Sequence, residues 1–184
     1  MQHEFKPEIP TLFLGIGNPG TEYKETFHNA GILLLQALVS NQNFSRISKK
    51  HFLYTQLYNN IFVQSETYMN ESGIAAEEAL SYFSRTPESL VLLHDDSDMY
   101  LGEYKIQYDA GAAGHKGVSS VITHIGTRKF YRVRIGIRPK QFFLFPRKKA
   151  GDFVLSRISK KDKEILTHTF QKIIREILPE SLKE

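Results

Sequence analysis

Residues 89–96 read Ser-Leu-Val-Leu-Leu-His-Asp-Asp, a continuous apolar run followed at once by an imidazole and two carboxylates. A short run of this kind is typical of a strand buried on both faces of a parallel sheet. Two further strand-like runs, 11–15 and 60–65, are followed by polar segments at 17–20 (Gly-Asn-Pro-Gly) and 67–70 (Thr-Tyr-Met-Asn). Ligands bind beyond the carboxyl ends of strands in open α/β sheets, so we expect these groups to meet in one crevice. Amide, imidazole and carboxylate groups together favour a hydrolase that activates water over a redox or group-transfer enzyme.

Size and composition predict one cytoplasmic domain. The chain has 184 residues, 41% hydrophobic and 24% charged, which is ordinary for a soluble globular protein. It contains no cysteine, which excludes disulfides and thiolate chemistry and fits a cytoplasmic location. The first ten residues lack the apolar core of a signal peptide, and no apolar run approaches the ~20 residues of a membrane helix. We expect a single domain over 1–184, with 1–10 as a loose extension and no membrane contact.

Charge is distributed unevenly along the chain. The net charge of +4 combines 6 basic and 12 acidic residues in 1–100 with 18 basic and 8 acidic residues in 101–184. Residues 128–149 hold nine basic residues and no acidic one. A block this one-sided favours a polyanionic partner, here a nucleic acid, over an ordinary solvated face.

Hydrophobic periodicity predicts strands and helices in the rest of the chain. The predicted helices are 30–40, 71–83, 116–125 and an amphipathic C-terminal helix over about 159–178. The predicted strands are 102–108, 130–137 and a hairpin of 51–57 with 61–65. In the 130–137 strand, Val133 and Ile135 alternate with Arg132 and Arg134, so the arginines share one face. Residues 110–114 and 141–150 are predicted loops.

Three glycines at the first turn raise the possibility of a nucleotide cofactor. Gly15, Gly17 and Gly20 match the spacing of a dinucleotide-binding turn. The acidic residue expected about 20 residues later is absent from 36–42, and Pro19 removes a backbone donor from the turn. A tight strand-to-helix turn is therefore favoured, and we expect no cofactor.

A catalytic pair is predicted from two strand ends. His28 follows the turn after the first strand, and Asp95 follows the 89–93 strand. A histidine exchanges a proton near neutral pH, and an aspartate bonded to its other ring nitrogen would fix its tautomer and orientation. The chain has no Gly-x-Ser-x-Gly elbow and no cysteine, so water is the expected nucleophile.

A metal site is the alternative interpretation of the acidic cluster. Clustered histidine and aspartate suit Zn²⁺ or Mg²⁺, and the candidates are His94, Asp95, Asp96, Asp98 and His115. Their spacing fits no common metal motif, and the other two strand ends supply amides rather than carboxylates. We expect no metal.

Several segments have a recognisable order and spacing. They are Asn18-Pro-Gly-x-x-Tyr23-x-x-Thr26-x-His28-Asn29-x-Gly31, Thr67-Tyr-Met-Asn70-x-Ser72-Gly73, His94-Asp95-x-x-Asp98-x-x-x-Gly102, Ala113-Gly-His115-x-Gly117, Ile125-Gly-Thr127, the 130–139 strand and 152–156. Together, over residues 12–157, they resemble the signatures of bacterial-type peptidyl-tRNA hydrolases.

The resemblance implies a fold, a reaction and a set of site residues. The fold is a single α/β domain with a twisted, mixed, mostly parallel β-sheet and helices on both faces. The reaction is hydrolysis of the ester linking a peptide to tRNA, by a monomeric enzyme whose partner is peptidyl-tRNA. His28 activates water, Asp95 supports it, and Lys105 and Arg134 bind tRNA phosphate. The implied substrate-binding residues are Asn18, Tyr23, Tyr68, Met69, Asn70, His115 and Lys116.

Three departures from the family pattern leave alternatives open. Lys116 replaces a usual asparagine, Phe27 a usual arginine, and Gln64-Ser65 a usual Lys-Pro. A lysine at 116 offers a cation to a developing oxyanion or to a phosphate. The alternatives are a non-catalytic RNA-binding relative and a less favoured metal-dependent phosphohydrolase. The joint presence of Asn18, His28, Asn70 and Asp95 weighs against a pure binder.

Overall fold

The apolar run at 11–15 forms the central strand of the structure. In the computed structural model, which describes residues 5–7, 11–40, 42–57, 59–139, 151 and 153–178, strand β1 spans Leu12–Gly15. It pairs in parallel with β4 (Asn60–Ser65) on one edge and with β5 (Leu90–Tyr100) on the other. Because both edges and both faces of β1 are covered, every position favours a small or apolar residue.

A seven-stranded sheet organises the described part of the chain. Its strand order is β2-β3-β4-β1-β5-β7-β6. The outer strands and the last parallel strand are β2 (Ser45–Arg46), β3 (Phe52–Leu57), β6 (Tyr104–Tyr108) and β7 (Tyr131–Arg138). The four central strands are parallel, whereas β2, β3 and β6 add to the edges in antiparallel fashion. The predicted mixed sheet and the β3–β4 hairpin are thus confirmed, with parallel pairing confined to the centre.

Helices cover both faces of this sheet, as predicted. The helices are α1 (Ala30–Leu38), α2 (Ser72–Tyr82), α3 (Lys116–Ile125) and α4 (Lys160–Ile177). Alternate residues of β1 divide between two cores, with Phe13 in one and Leu14 in the other. The Phe13 core includes side chains of α1 and α4, and the Leu14 core includes side chains of α2 and α3.

Strand β5 extends beyond the predicted 89–93 segment. It continues through Tyr100 because its polar half pairs with β7, with a register shift after Asp96. Strand β1 ends at Gly15, opposite Leu93. Asp95 therefore lies within a strand, contrary to the prediction that it follows one, but beside the open end of its neighbour.

Two predicted segments fall largely outside the described residues. They are the loop at 141–150 and most of the extension at 1–10. Phe5, which is described, packs edge-on against Tyr131 with ring centroids 5.1 Å apart. In the part of the chain that the structure covers, no helix has the length and apolar character needed to cross a membrane.

Candidate active site

A close contact between α1 and β5 brings the turn before α1 close to the polar end of β5. Gly31, in the first turn of α1, approaches β5 so closely that a Cβ atom there would lie 2.1 Å from the main-chain oxygen of Leu93. A residue with a side chain would force the helix away from the strand. Helix α1 therefore begins directly over the end of β1, and His28 lies beside Asp95.

The main chain around His28 is held by a distant segment. His28 is in a 3₁₀ turn over Phe27–Asn29, and its N–H donates to the main-chain oxygen of Val154 at 2.8 Å. The N–H of Ile158 donates to the main-chain oxygen of Glu25, also at 2.8 Å. Residues 153–158 thus fix the turn that carries His28. Sequence reasoning missed this support because main-chain partners so far apart leave no pattern in the side chains.

One carboxylate oxygen of Asp95 accepts hydrogen bonds from two imidazoles. His28 Nδ1 and His115 Nε2 each lie 2.9 Å from Asp95 Oδ1. The Asp95 side chain is 1% exposed. Burial raises the pKa of Asp95, but the electrostatic attraction and hydrogen bonds of the two imidazoles outweigh this and hold that pKa well below its usual range. The carboxylate is therefore ionised and accepts from both rings.

Hydrogen bonds assign the tautomers of the two rings. His115 is the N-cap of α3, and its Nδ1 accepts the N–H of Val118 at 3.3 Å. Its proton is consequently on Nε2, which donates to Asp95. Since a carboxylate only accepts, His28 donates through Nδ1, so the neutral form of the ring has its unprotonated nitrogen at Nε2. That nitrogen is available to take a proton from water.

The turn after β1 positions an amide beside these rings. The Oδ1 of Asn18 accepts the N–H of Met69 at 2.8 Å. Asn29 holds the main chain of Asn18 in both directions, accepting its N–H at 2.8 Å and donating to its carbonyl at 3.0 Å. The Asn18 Nδ2 group has no acceptor among the described residues and is available to a ligand.

These groups border a cavity of about 750 Å³ at the carboxyl end of the central strands. Of the predicted site residues, those that line it with Asp95 and Arg134 are Asn18, His28, Met69, Asn70, His115 and Lys116. Val154 and Leu155 form another part of the wall, and Leu155 is exposed despite its apolar side chain. The size and mixed lining suit an organic ligand with one apolar and one polar side.

Lys116 reaches the cavity because α3 begins at its edge. Lys116 is the first residue of α3 and is exposed. Gly117 packs against Met69, since a Cβ at Gly117 would lie 2.4 Å from the Met69 sulfur. His115 accepts the N–H of Val118, and the N-terminal end of α3 together with the cationic side chain of Lys116 favours negative charge at this edge of the cavity.

Three predicted residues lie outside the cavity. Tyr68 is 55% exposed beside Met69, and Tyr23 is in the loop before His28, where its carbonyl accepts the Thr26 hydroxyl at 2.9 Å. Lys105 is exposed on β6, directly opposite Arg134 in the antiparallel β6–β7 pair. None of the three lines the cavity, although Lys105 is paired with Arg134, which does.

Arg134, on β7, is paired within the protein. Arg134 donates through Nε and Nη2 to Asp96 Oδ2, both at 2.6 Å, and through Nη1 to Gln107. Two of its five N–H groups remain, one on each terminal nitrogen. Arg132 is 2% exposed, and burial lowers its pKa to about 10. Arg134 and exposed Lys105 are thus better placed than Arg132 to meet a phosphate.

Of the residues of the metal alternative, Asp95 and His115 converge, whereas Asp96, Asp98 and His94 have other partners. Asp96 binds Arg134, exposed Asp98 lies 3.5 Å from Arg138, and His94 points Nδ1 at a main-chain oxygen. Within the described ranges, the one group with metal-like proximity is His28, Asp95 and His115, whose ligand atoms lie within 4.8 Å of one another. Both ring nitrogens facing the carboxylate carry protons, so this arrangement suits proton transfer better than metal ligation.

Known proteins share this sequence and fold. A sequence model of the family described as peptidyl-tRNA hydrolase matches residues 12–184. The peptidyl-tRNA hydrolase of Prochlorococcus marinus is 38% identical over 170 residues, covering 89% of this chain and 84% of the relative. That of Mycoplasma mycoides is 32% identical over 166 residues, covering 86% of each. The crystal structure of the Acinetobacter baumannii peptidyl-tRNA hydrolase superposes with a TM-score of 0.80 at 26% identity, covering 91% of this chain and 86% of that one. The chain belongs to the peptidyl-tRNA hydrolase family.

Proposed function

We propose that the protein hydrolyses the ester bond of peptidyl-tRNA, with His28 as the general base and Asp95 as its orienting partner. The observation that carries the proposal is the shared Asp95 oxygen, which leaves His28 with an unprotonated Nε2 at the cavity. An ester is an activated carbonyl, so a positioned water, a base and hydrogen-bond donors suffice for its hydrolysis.

The reaction is a direct attack by water. The water oxygen bonds to the ester carbonyl carbon while its proton passes to His28 Nε2. The bond from that carbon to the tRNA ribose oxygen then breaks, and the protonated histidine returns the proton to the leaving oxygen. Asp95 stabilises the transient imidazolium, and His115 holds the carboxylate in place through its own bond to Oδ1.

The remaining cavity residues bind the peptide side of the substrate. Asn18 and Asn70 offer amides to the water and to the peptide main chain, and Met69 forms the apolar wall. Lys116 and the N-terminus of α3 face the position where the carbonyl oxygen gains charge. Tyr68 and Tyr23 contact the substrate farther from the scissile bond.

Lys105 and Arg134 bind tRNA phosphate. Their side chains share one face of the β6–β7 pair, because directly opposed residues of an antiparallel pair project to the same side. Arg134 retains two donors for a phosphate after bonding Asp96 and Gln107. The enzyme acts as a cytoplasmic monomer, and its cysteine-free sequence fits a reducing compartment.

Deacylation of an N-blocked aminoacyl-tRNA tests this function. We expect chelator-resistant turnover by the wild type and a loss of about 10²–10⁴-fold in kcat for His28→Ala, the range for a general base. His51→Ala is the matched control, since exposed His51 also faces a carboxylate, Glu78, at 3.2 Å but lies outside the cavity.

Each contrary result would point to a different function. Turnover abolished by chelator would replace the proposal with metal-dependent hydrolysis. No turnover, with tRNA binding unchanged in His28→Ala, would make the chain an RNA-binding relative.

A further inference from the structure

His94 has no part in the mechanism above, although it adjoins the site. Its side chain is 2% exposed and packs next to Asp95 on β5. The His94 Nδ1 donates to the main-chain oxygen of Asp95 at 2.7 Å. Its Nε2 is buried without a hydrogen-bond partner among the described residues. A buried nitrogen without a hydrogen-bond partner costs free energy that an apolar side chain would not. A histidine at this position therefore calls for an explanation.

The His94 ring also supports the second imidazole of the site. Its centroid lies 4.9 Å from that of His115, with the planes at 68°, so the two rings pack edge to face. His115 is held at its two nitrogens by Asp95 and Val118. His94 supplies the contact against the ring itself, which the two hydrogen bonds do not provide.

The charge state of His94 keeps this arrangement fixed. Burial lowers the pKa of His94 well below its usual range, and the electrostatic influence of His115 and Arg132 acts in the same direction, whereas Asp95 opposes it. The ring is therefore neutral, with its single proton committed to the Asp95 carbonyl. A fixed donor at that point restrains the main chain from which the catalytic carboxylate projects.

We propose that His94 is a positioning residue: its Nδ1–H restrains the main chain of Asp95 while its ring restrains His115, so that one carboxylate oxygen meets both imidazoles. The inference rests on the proposed function for its kinetic consequence. Its structural content concerns the tautomers and orientation of His28 and His115, which exist without substrate.

Two substitutions separate the donor from the ring. His94→Phe keeps a ring against His115 but removes the donor, and His94→Asn keeps a donor on the same γ branch as Nδ1 but removes the ring. His124→Phe is the matched control, because exposed His124 also pairs Nδ1 with a main-chain oxygen, that of Ser120 at 2.9 Å, outside the cavity.

The measurements are kcat, KM and the imidazole ¹⁵N shifts of His28 and His115. We expect His94→Phe to lose about 10- to 100-fold in kcat with little change in KM, as a small misplacement of a catalytic group produces. We expect altered ¹⁵N shifts in that variant. In His94→Asn we expect altered His115 shifts and a kcat above that of His94→Phe but below that of wild type, because only the ring contact with His115 is lost. The control should match wild type in both readouts.

The proposal is overturned if His94→Phe keeps wild-type kcat and ¹⁵N shifts, or if His94→Asn loses as much as His94→Phe. Should His94→Phe fail to fold, His94→Asn decides alone: altered His115 ¹⁵N shifts with a loss of less than about tenfold in kcat support the proposal, and unaltered shifts or a larger loss contradict it. Absence of esterase activity in the wild type would reject the proposed function, and the ¹⁵N shifts of the free protein would still test His94.

Discussion

At the scale of single residues, the site depends on which atoms carry protons. Asp95 is ionised and accepts two donors on one oxygen, and on the proposed function His28 Nε2 is the atom that takes the proton from water. The developing negative charge of the carbonyl is then met by other groups. Lys116 is the cationic side chain on the α3 side of the cavity.

Replacing Lys116 tests that role. We expect Lys116→Met to lower kcat by about 10- to 100-fold with a smaller effect on KM, because oxyanion stabilisation acts in the transition state. Steady-state deacylation measures both constants, and Lys129→Met is the control, at an exposed lysine that does not line the cavity. A large gain in rate for Lys116→Asn would instead show that the cation serves no purpose.

At the scale of elements, the fit of α1 against β5 determines the site. Gly31→Ala places a methyl group 2.1 Å from the Leu93 carbonyl. We expect a loss of about 1–3 kcal/mol in the free energy of unfolding, with a further loss of esterase activity as His28 moves from Asp95. Urea unfolding gives the first quantity. Gly111→Ala, where a Cβ meets nothing within 4 Å, should leave both unchanged.

The 153–158 segment is anchored by charge as well as by main-chain bonds. Hydrogen bonds from Lys163 and Arg157 lower the pKa of Glu25 from its ordinary value of 4.5 to about 2. A carboxyl whose pKa is lowered in the folded state stabilises that state fully above pH 4.5 and loses the contribution as the pH falls towards 2. The urea midpoints of wild type and Glu25→Gln should therefore differ at pH 6 and converge below pH 4.5. For the control Glu77→Gln, at an exposed residue, the difference in urea midpoint from wild type should not change in this way with pH. A difference between Glu25→Gln and wild type that stays constant down to pH 2 would contradict the role given to Glu25.

Sequence patterns predicted the elements that are stabilised by nearby residues. They missed the strand pairing and hydrogen bonds that residues distant in sequence provide. The bounds of α3 were predicted correctly because its amphipathic pattern and capping residues are contained within it. The second half of β5 was missed because polar residues are held there by pairing with β7. The proximity of His28 and Asp95 followed from the strand-end rule. The bond from His28 to Val154 and the sharing of Asp95 with His115 arise from packing, which local hydropathy does not encode.

At the scale of the whole molecule, the residues of the two proposed roles lie on different strands. Asp95 lies on β5 and His28 at the open end of β1, whereas Arg134 and Lys105 lie on β7 and β6, the next strands beyond β5. On the proposed function, the peptide side and the phosphate side of the substrate therefore meet different strands, and affinity for tRNA belongs to Arg134 and Lys105.

Salt dependence measures that division. We expect tRNA binding to weaken as salt rises, and Arg134→Gln to reduce the slope of log Kd against log salt by about 1. Lys172→Gln, at an exposed lysine of α4 outside the cavity, serves as the control and should leave the slope unchanged. If the affinity of the wild type for tRNA did not change with salt, the proposed role of β6 and β7 in binding phosphate would be wrong.

The bond between His28 and Val154 has a consequence for biosynthesis. On the proposed function, the substrate is a peptide that is still linked to tRNA. This protein is itself such a peptide during its own synthesis. The carbonyl that holds the His28 turn belongs to Val154, which is translated long after His28 itself. A nascent chain that ends before Val154 therefore lacks this support of its general base.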